Sequence, residues 1–190
     1  MRGCRPLTDE EITLMKGSFS GKYAERDRAL FMLGCYSGFR VSELLSLKVG
    51  DVVEYGGIVS QVTVQRRNMK GSGSGRSVAL NPKAREALMR WLVELGEVSC
   101  SAPLFPSRKG DRPISRVQAH RILKEAAAVN QIGGKVSTHS MRKSFAQRVH
   151  KAVDGDLMKT QRALGHKSIN STVQYLSFDQ QDVDDAVLAI

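Results

Sequence analysis

Apolar residues along the chain recur mostly at helical spacing, interrupted by one stretch where they alternate with polar ones. Thr8-Asp9-Glu10-Glu11 reads as a capping box that opens a short helix, and the Gly/Ser/Lys stretch from Gly17 to Lys22 ends it. From Ala24 the pattern is helical, and from Ala29 to Tyr36 it is almost wholly apolar, which predicts a helix buried on most sides. Ser37-Gly38 breaks this helix. Arg40 to Leu47 predicts a second short one, with Val41, Leu44, Leu45 and Leu47 on its inner face. Ile58 to Arg67 alternates imperfectly and is rich in Val and Thr, as a strand is. Gly71-Ser72-Gly73-Ser74-Gly75 makes a turn, and Arg76 to Leu80 returns as the paired strand. Leu104-Phe105 is a candidate third strand before a turn at Lys109-Gly110-Asp111.

Helices dominate the remainder. Pro82 suits the first turn of a helix reaching Leu95, with Ala84, Leu88, Trp91 and Leu92 at helical spacing. Ser115 caps the next, which runs to about Val129. After Gly133-Gly134 come helices from about Ser140 to Lys151 and from Asp156 to Leu164, then a short one bearing Tyr175. Val183, Ala186, Val187 and Ile190 predict a last amphipathic helix. The architecture expected is α+β: mostly helical, with one small antiparallel β-sheet.

A chain of 190 residues with 41% hydrophobic and 25% charged residues has the size and composition of a globular domain with its own core. Its net charge of +10 is less ordinary. The last twelve residues hold four Asp and no Lys or Arg, so residues 1–178 are more basic still. A polyanionic partner follows, bound with an affinity that falls steeply with salt. Cys4, Cys35 and Cys100 are an odd number at no metal-ligand spacing, and Cys35 falls in the apolar helix as a small core residue. The expectation is a reduced, cytoplasmic protein with no signal peptide and no membrane-spanning run. The Gly/Ser turn lacks the Gly-Lys-Ser/Thr ending of a nucleotide loop and is followed by a strand, so turn chemistry accounts for it better.

Candidate chemistry concentrates in residues 139–175. His139-Ser140-Met141-Arg142, Gly165-His166 and Tyr175 place two imidazoles, a guanidinium and a phenol there, and Arg40 lies near a helix start far upstream. Phosphate chemistry on DNA needs such groups: arginines neutralise the phosphorane, histidines handle protons, and a tyrosine can be a covalent nucleophile. The planar fork of Arg40 suits it to clamp two phosphate oxygens. Arg142, three residues after His139, projects from the same helix face. A phenol pKa of about 10 makes phenolate at neutral pH cost roughly 4 kcal/mol, which nearby positive charge would lower.

These residues resemble a known family. Ser37-Gly38-Phe39-Arg40-Val41-Ser42-Glu43-Leu44-Leu45 looks like the first signature box of the tyrosine recombinases, or phage integrase family. His139-Ser140-Met141-Arg142, then Leu164-Gly165-His166 and Tyr175, resembles the second box. The resemblance runs from Thr8 to the tail. It implies a recombinase catalytic domain over residues 1–178 and an acidic tail, 179–190, that is a candidate subunit-docking helix. The additional N-terminal helical domain that most members carry is not matched, since the catalytic pattern begins close to Met1.

By this resemblance the chain is expected to be a site-specific DNA recombinase or integrase that cleaves and rejoins strands through a 3′-phosphotyrosine. Arg40, Arg142 and His166 would contact the scissile phosphate, His139 would handle a proton, and Tyr175 would be the nucleophile. Lys70, ahead of Gly71 in the hairpin turn, would protonate the leaving 5′ oxygen. Glu43 would buttress the arginines. Arg66, Arg67 and Arg76 crowd the same hairpin as candidate DNA contacts. No metal or other cofactor is expected, and the partners expected are double-stranded DNA and further copies of the chain, as a tetramer. Two alternatives stay open: a non-catalytic DNA-binding regulator on the same scaffold, and a type IB topoisomerase-like activity.

Overall fold

A computed structural model of the chain describes residues 3–64, 76–109, 112–176 and 187–188. Contacts divide it into two compact units, Met1–Phe145 and Ala146–Ile190.

The first unit begins with α1 (Asp9–Ser18), opened by the expected capping box: Thr8 Oγ1 accepts from the Glu11 amide and Glu11 accepts from the Thr8 amide. Arg5 grips the same Glu11 carboxylate through two nitrogens and also donates to the Gly133 carbonyl, which ties the incoming chain to the segment ahead of α6 (Thr138–Ala152). Next comes α2 (Ala24–Ser37). Its apolar run is buried as the pattern predicts, with Ala29 to Leu33 and Cys35 at most 1% exposed. α2 lies against α4 (Pro82–Leu95), which Asn81 caps by accepting from the Lys83 amide. Trp91 of α4 is buried, and its indole donates to the Leu104 carbonyl at 2.7 Å. α5 (Arg116–Val129), capped by Ser115, adds Ala119, Ile122, Leu123 and Ala126 to the same core. At Gly34 a Cβ would run into the Met141 thioether, so the absent side chain lets α2 and α6 approach.

Among the described residues, the sheet is more divided than the alternation predicts. One antiparallel pair is β1 (Val53–Glu54) with β2 (Gly57–Ile58), and the other is β3 (Gln61–Val64) with β4 (Arg76–Ala79). The single strand expected over Ile58 to Arg67 is interrupted between Ile58 and Gln61, because Ile58 pairs back with Val53 while Gln61 pairs with Ala79. The expected third strand at Leu104-Phe105 does not form. Pro103 and Pro106 flank it and make only isolated bridges, to Lys48 and Pro113, as residues without an amide donor must break a ladder. α3 is also shorter than expected, Val41–Leu44, followed by a turn through Leu47.

The second unit contains the end of α6, then α7 (Leu157–Leu164) and α8 (Ile169–Val173). Asp156 caps α7 by accepting from the Lys159 amide, and Thr160 Oγ1 bridges the Asp156 carbonyl and His150 Nδ1. The expected last amphipathic helix and the acidic tail lie almost wholly outside the described residues. Among the described residues, no helix is long and apolar enough to cross a membrane. The architecture is α+β, mostly helical with small antiparallel pairing.

Candidate active site

In the first unit the chemistry gathers around the end of α2. Gly38 stops that helix in the left-handed conformation, φ 60°, and a Cβ there would overlap the Phe145 ring. The turn leaves the Ser37 and Gly38 carbonyls pointing away from the helix, where helix geometry offers no backbone donor and the helix dipole favours cations. Two guanidinium groups take them. Arg142, from α6, donates Nη1 to the Gly38 carbonyl. Arg76, from β4, donates Nη2 to the Ser37 carbonyl at 3.0 Å and Nη1 to the Gly38 carbonyl at 3.4 Å. Both arginines are buried, Arg142 at 1% exposure.

Arg40 follows two residues later at the start of α3. Glu43 holds it twice: Oε2 accepts from the Arg40 amide at 2.7 Å, and Oε1 accepts from Arg40 Nη1 at 2.8 Å. The Glu43 side chain is 2% exposed and that of Arg40 is 40% exposed. The carboxylate is therefore an internal brace, while the guanidinium keeps a face toward solvent. Glu43, expected to buttress the arginines, accepts from Arg40 at two points.

His139 lies one turn before Arg142 on α6. Partial burial, and then the positive charges of Arg142, Arg40 and Lys143, hold its imidazole below the ordinary value. The residue as a whole is exposed, so solvent screens part of this effect. Burial, reinforced by Arg142 and Arg40 against the opposing pull of Glu43, lowers Arg76 to about 9. The local field is strongly positive, and a neutral imidazole there is a proton acceptor rather than one more cation.

The second unit carries the other two expected groups. Gly165, φ 63°, ends α7, and the His166 amide bonds back to the Gln161 carbonyl at 3.1 Å. His166 Nδ1 meets Thr172 Oγ1 at 3.0 Å, a contact that fixes the orientation of the ring. The Tyr175 ring sits 5.1 Å from the His166 ring, tilted by 54°. Tyr175 is half-buried just beyond α8, with its amide bonded to the Thr172 carbonyl. His166, Lys159 and Arg162 also line a shallow concavity beside α7.

Arg40, Glu43, His139 and Arg142 thus converge in one unit, and His166 and Tyr175 in the other. Lys70, Arg66 and Arg67 lie outside the described residues. Arg76, expected as a DNA contact, is instead turned inward onto two backbone carbonyls. Alternation along β4 could have signalled this, since Arg76 shares a strand face with the partly buried Val78 while Ser77 and Ala79 are exposed. Thr172 was not anticipated. Its hydroxyl is buried and orients His166, but nothing in its spacing marks it. Among the described residues, no group of three or more His, Cys, Asp or Glu side chains is placed to hold a metal ion.

The model of the phage integrase family matches residues 7–182. The chain belongs to the phage integrase family. The match takes in both groups of site residues. The chain is 35% identical over 155 residues to the tyrosine recombinase XerC of Pelobacter propionicus, covering 80% of this chain and 48% of that protein. It is 29% identical over 156 residues to the probable integrase/recombinase YoeC of Bacillus subtilis, covering 82% and 80% respectively. A crystal structure of the XerH site-specific recombinase, a post-cleavage complex with palindromic difH substrate, superposes with a TM-score of 0.75 at 27% identity, covering 98% of this chain and 53% of that one. This phage integrase family chain spans about half the length of the XerC relatives that it matches.

Proposed function

We propose that the chain is a site-specific DNA recombinase that breaks and rejoins strands through a covalent tyrosyl phosphodiester. The observation that carries this reading is the pairing of Tyr175 with His166 in ring contact, the histidine oriented by Thr172. Duplex DNA is the substrate in this reading, and the excess of basic residues suits its backbone.

In the first step Tyr175 Oη bonds to phosphorus as the bond from phosphorus to the 5′ oxygen breaks. The phenol proton passes to a base, for which His139 is held neutral. The departing 5′ oxygen takes a proton, which Lys70 supplies in this reading. Arg40 and Arg142 stabilise the charge on the non-bridging oxygens, joined by His166 Nε2. A 5′ hydroxyl from a second strand then attacks the phosphotyrosine, reforms a phosphodiester and restores Tyr175. Bond energy is conserved in the covalent link, and recombination of two duplexes calls for several copies of the chain, four in the arrangement proposed.

The test is covalent capture on a pool of nicked duplexes of randomised sequence, in which a short 5′ fragment diffuses away after cleavage. Wild-type protein should give an adduct that survives denaturing gels, and Tyr175→Phe should give none while still binding DNA. An adduct with Tyr175→Phe would remove the nucleophile assignment, and no adduct with wild type would remove the recombinase reading.

A further inference from the structure

Arg76 is a buried charged group beside the site that the proposed reaction leaves without a role. It opens β4, pairs across to Val64, and turns inward with its guanidinium 5.3 Å from the Phe39 ring centre. Its two carbonyl acceptors belong to Ser37 and Gly38. Ser37, Gly38 and Phe39 are the residues immediately before Arg40, so Arg76 touches every link between the end of α2 and that arginine. Arg142 donates to one of the same carbonyls. A fork that spans two consecutive peptide groups fixes their orientation, which a single-point donor does not.

We propose that Arg76 is a positioning residue for strand cleavage: it clamps the Ser37-Gly38-Phe39 turn and so sets where Arg40 and Arg142 meet the phosphate. Stability alone does not account for it. A guanidinium buried beside two others has its charge disfavoured by the fold, as its lowered pKa of about 9 reflects. The effect on cleavage rests on the recombinase reading above; the effect on the turn does not.

Arg76→Lys keeps the charge but loses the fork, and Arg76→Gln keeps a neutral donor; both are made in the whole chain. Single-turnover cleavage at saturating duplex should fall about 100-fold in each, the scale of a small misplacement of catalytic groups, while DNA affinity is unchanged. In an Arg40→Lys background the further loss from Arg76→Lys should be much smaller, because both changes disturb the same arginine. Amide exchange over residues 39–44 should quicken in both variants, with exchange in α4 unaltered. Reduced affinity with an unchanged rate at saturation would make Arg76 a DNA contact and overturn the proposal. So would an undiminished loss in the Arg40→Lys background. If wild type forms no adduct, the recombinase reading fails separately and exchange decides: unchanged protection over 39–44 overturns the clamp, and faster exchange there alone supports it.

Discussion

At Gly38 an alanine would meet two obstacles, a backbone in the left-handed region and the Phe145 ring where its Cβ must go. Gly38→Ala should cost about 1–3 kcal/mol in denaturant unfolding, the range for backbone strain of this kind. Arg142→Lys retains charge but loses the fork, and single-turnover cleavage should drop about 100-fold or more, as when one transition-state donor is removed. His139 gives a pH signature. Its folded pKa lies below the unfolded value of 6.5, so the unfolded chain binds more protons in that range. Stability should fall as pH drops from 6.5 through the folded pKa, and His139→Gln should flatten that part of a thermal-denaturation profile. The sequence singled out Arg40, Glu43, His139 and Arg142, which gather in one unit, and His166 and Tyr175, which gather in the other, because their chemistry is rare at that spacing. Arg76 was misread because charge on a hairpin resembles a DNA-facing surface, and only strand alternation separates the two.

Elements marked by capping chemistry were read most accurately. Thr8 and Ser115 both accept amide hydrogen bonds at the helix starts they predicted. Ser115→Ala should therefore cost about 1 kcal/mol, measured by urea denaturation. The β1–β2 hairpin went unseen for a physical reason. Its two turn residues, Tyr55 at φ 48° and Gly56 at φ 77°, both take positive φ, the geometry of a tight hairpin turn. Asn or Asp normally announces the first of these positions, and a fully exposed tyrosine hides it. The Leu104-Phe105 segment misled in the opposite way: both side chains are buried, so the apolar signal was real, but the flanking prolines deny it a ladder.

For the whole molecule, a net charge of +10 predicts that DNA affinity falls linearly on a log–log plot against salt concentration, measured by fluorescence anisotropy. A slope near zero would show that the surplus of lysine and arginine does not meet phosphates. The single carbonyl of Gly38, shared by Arg76 and Arg142, has a different consequence. The Ser37 and Gly38 carbonyls and the Glu43 carboxylate face three guanidinium groups that repel one another. A small divalent oxyanion lodged among them would ease that repulsion, so sulfate should raise the melting temperature more than chloride at equal ionic strength, with a smaller gain in Arg40→Gln. The same salt that loosens this protein's hold on a duplex would then toughen the protein itself.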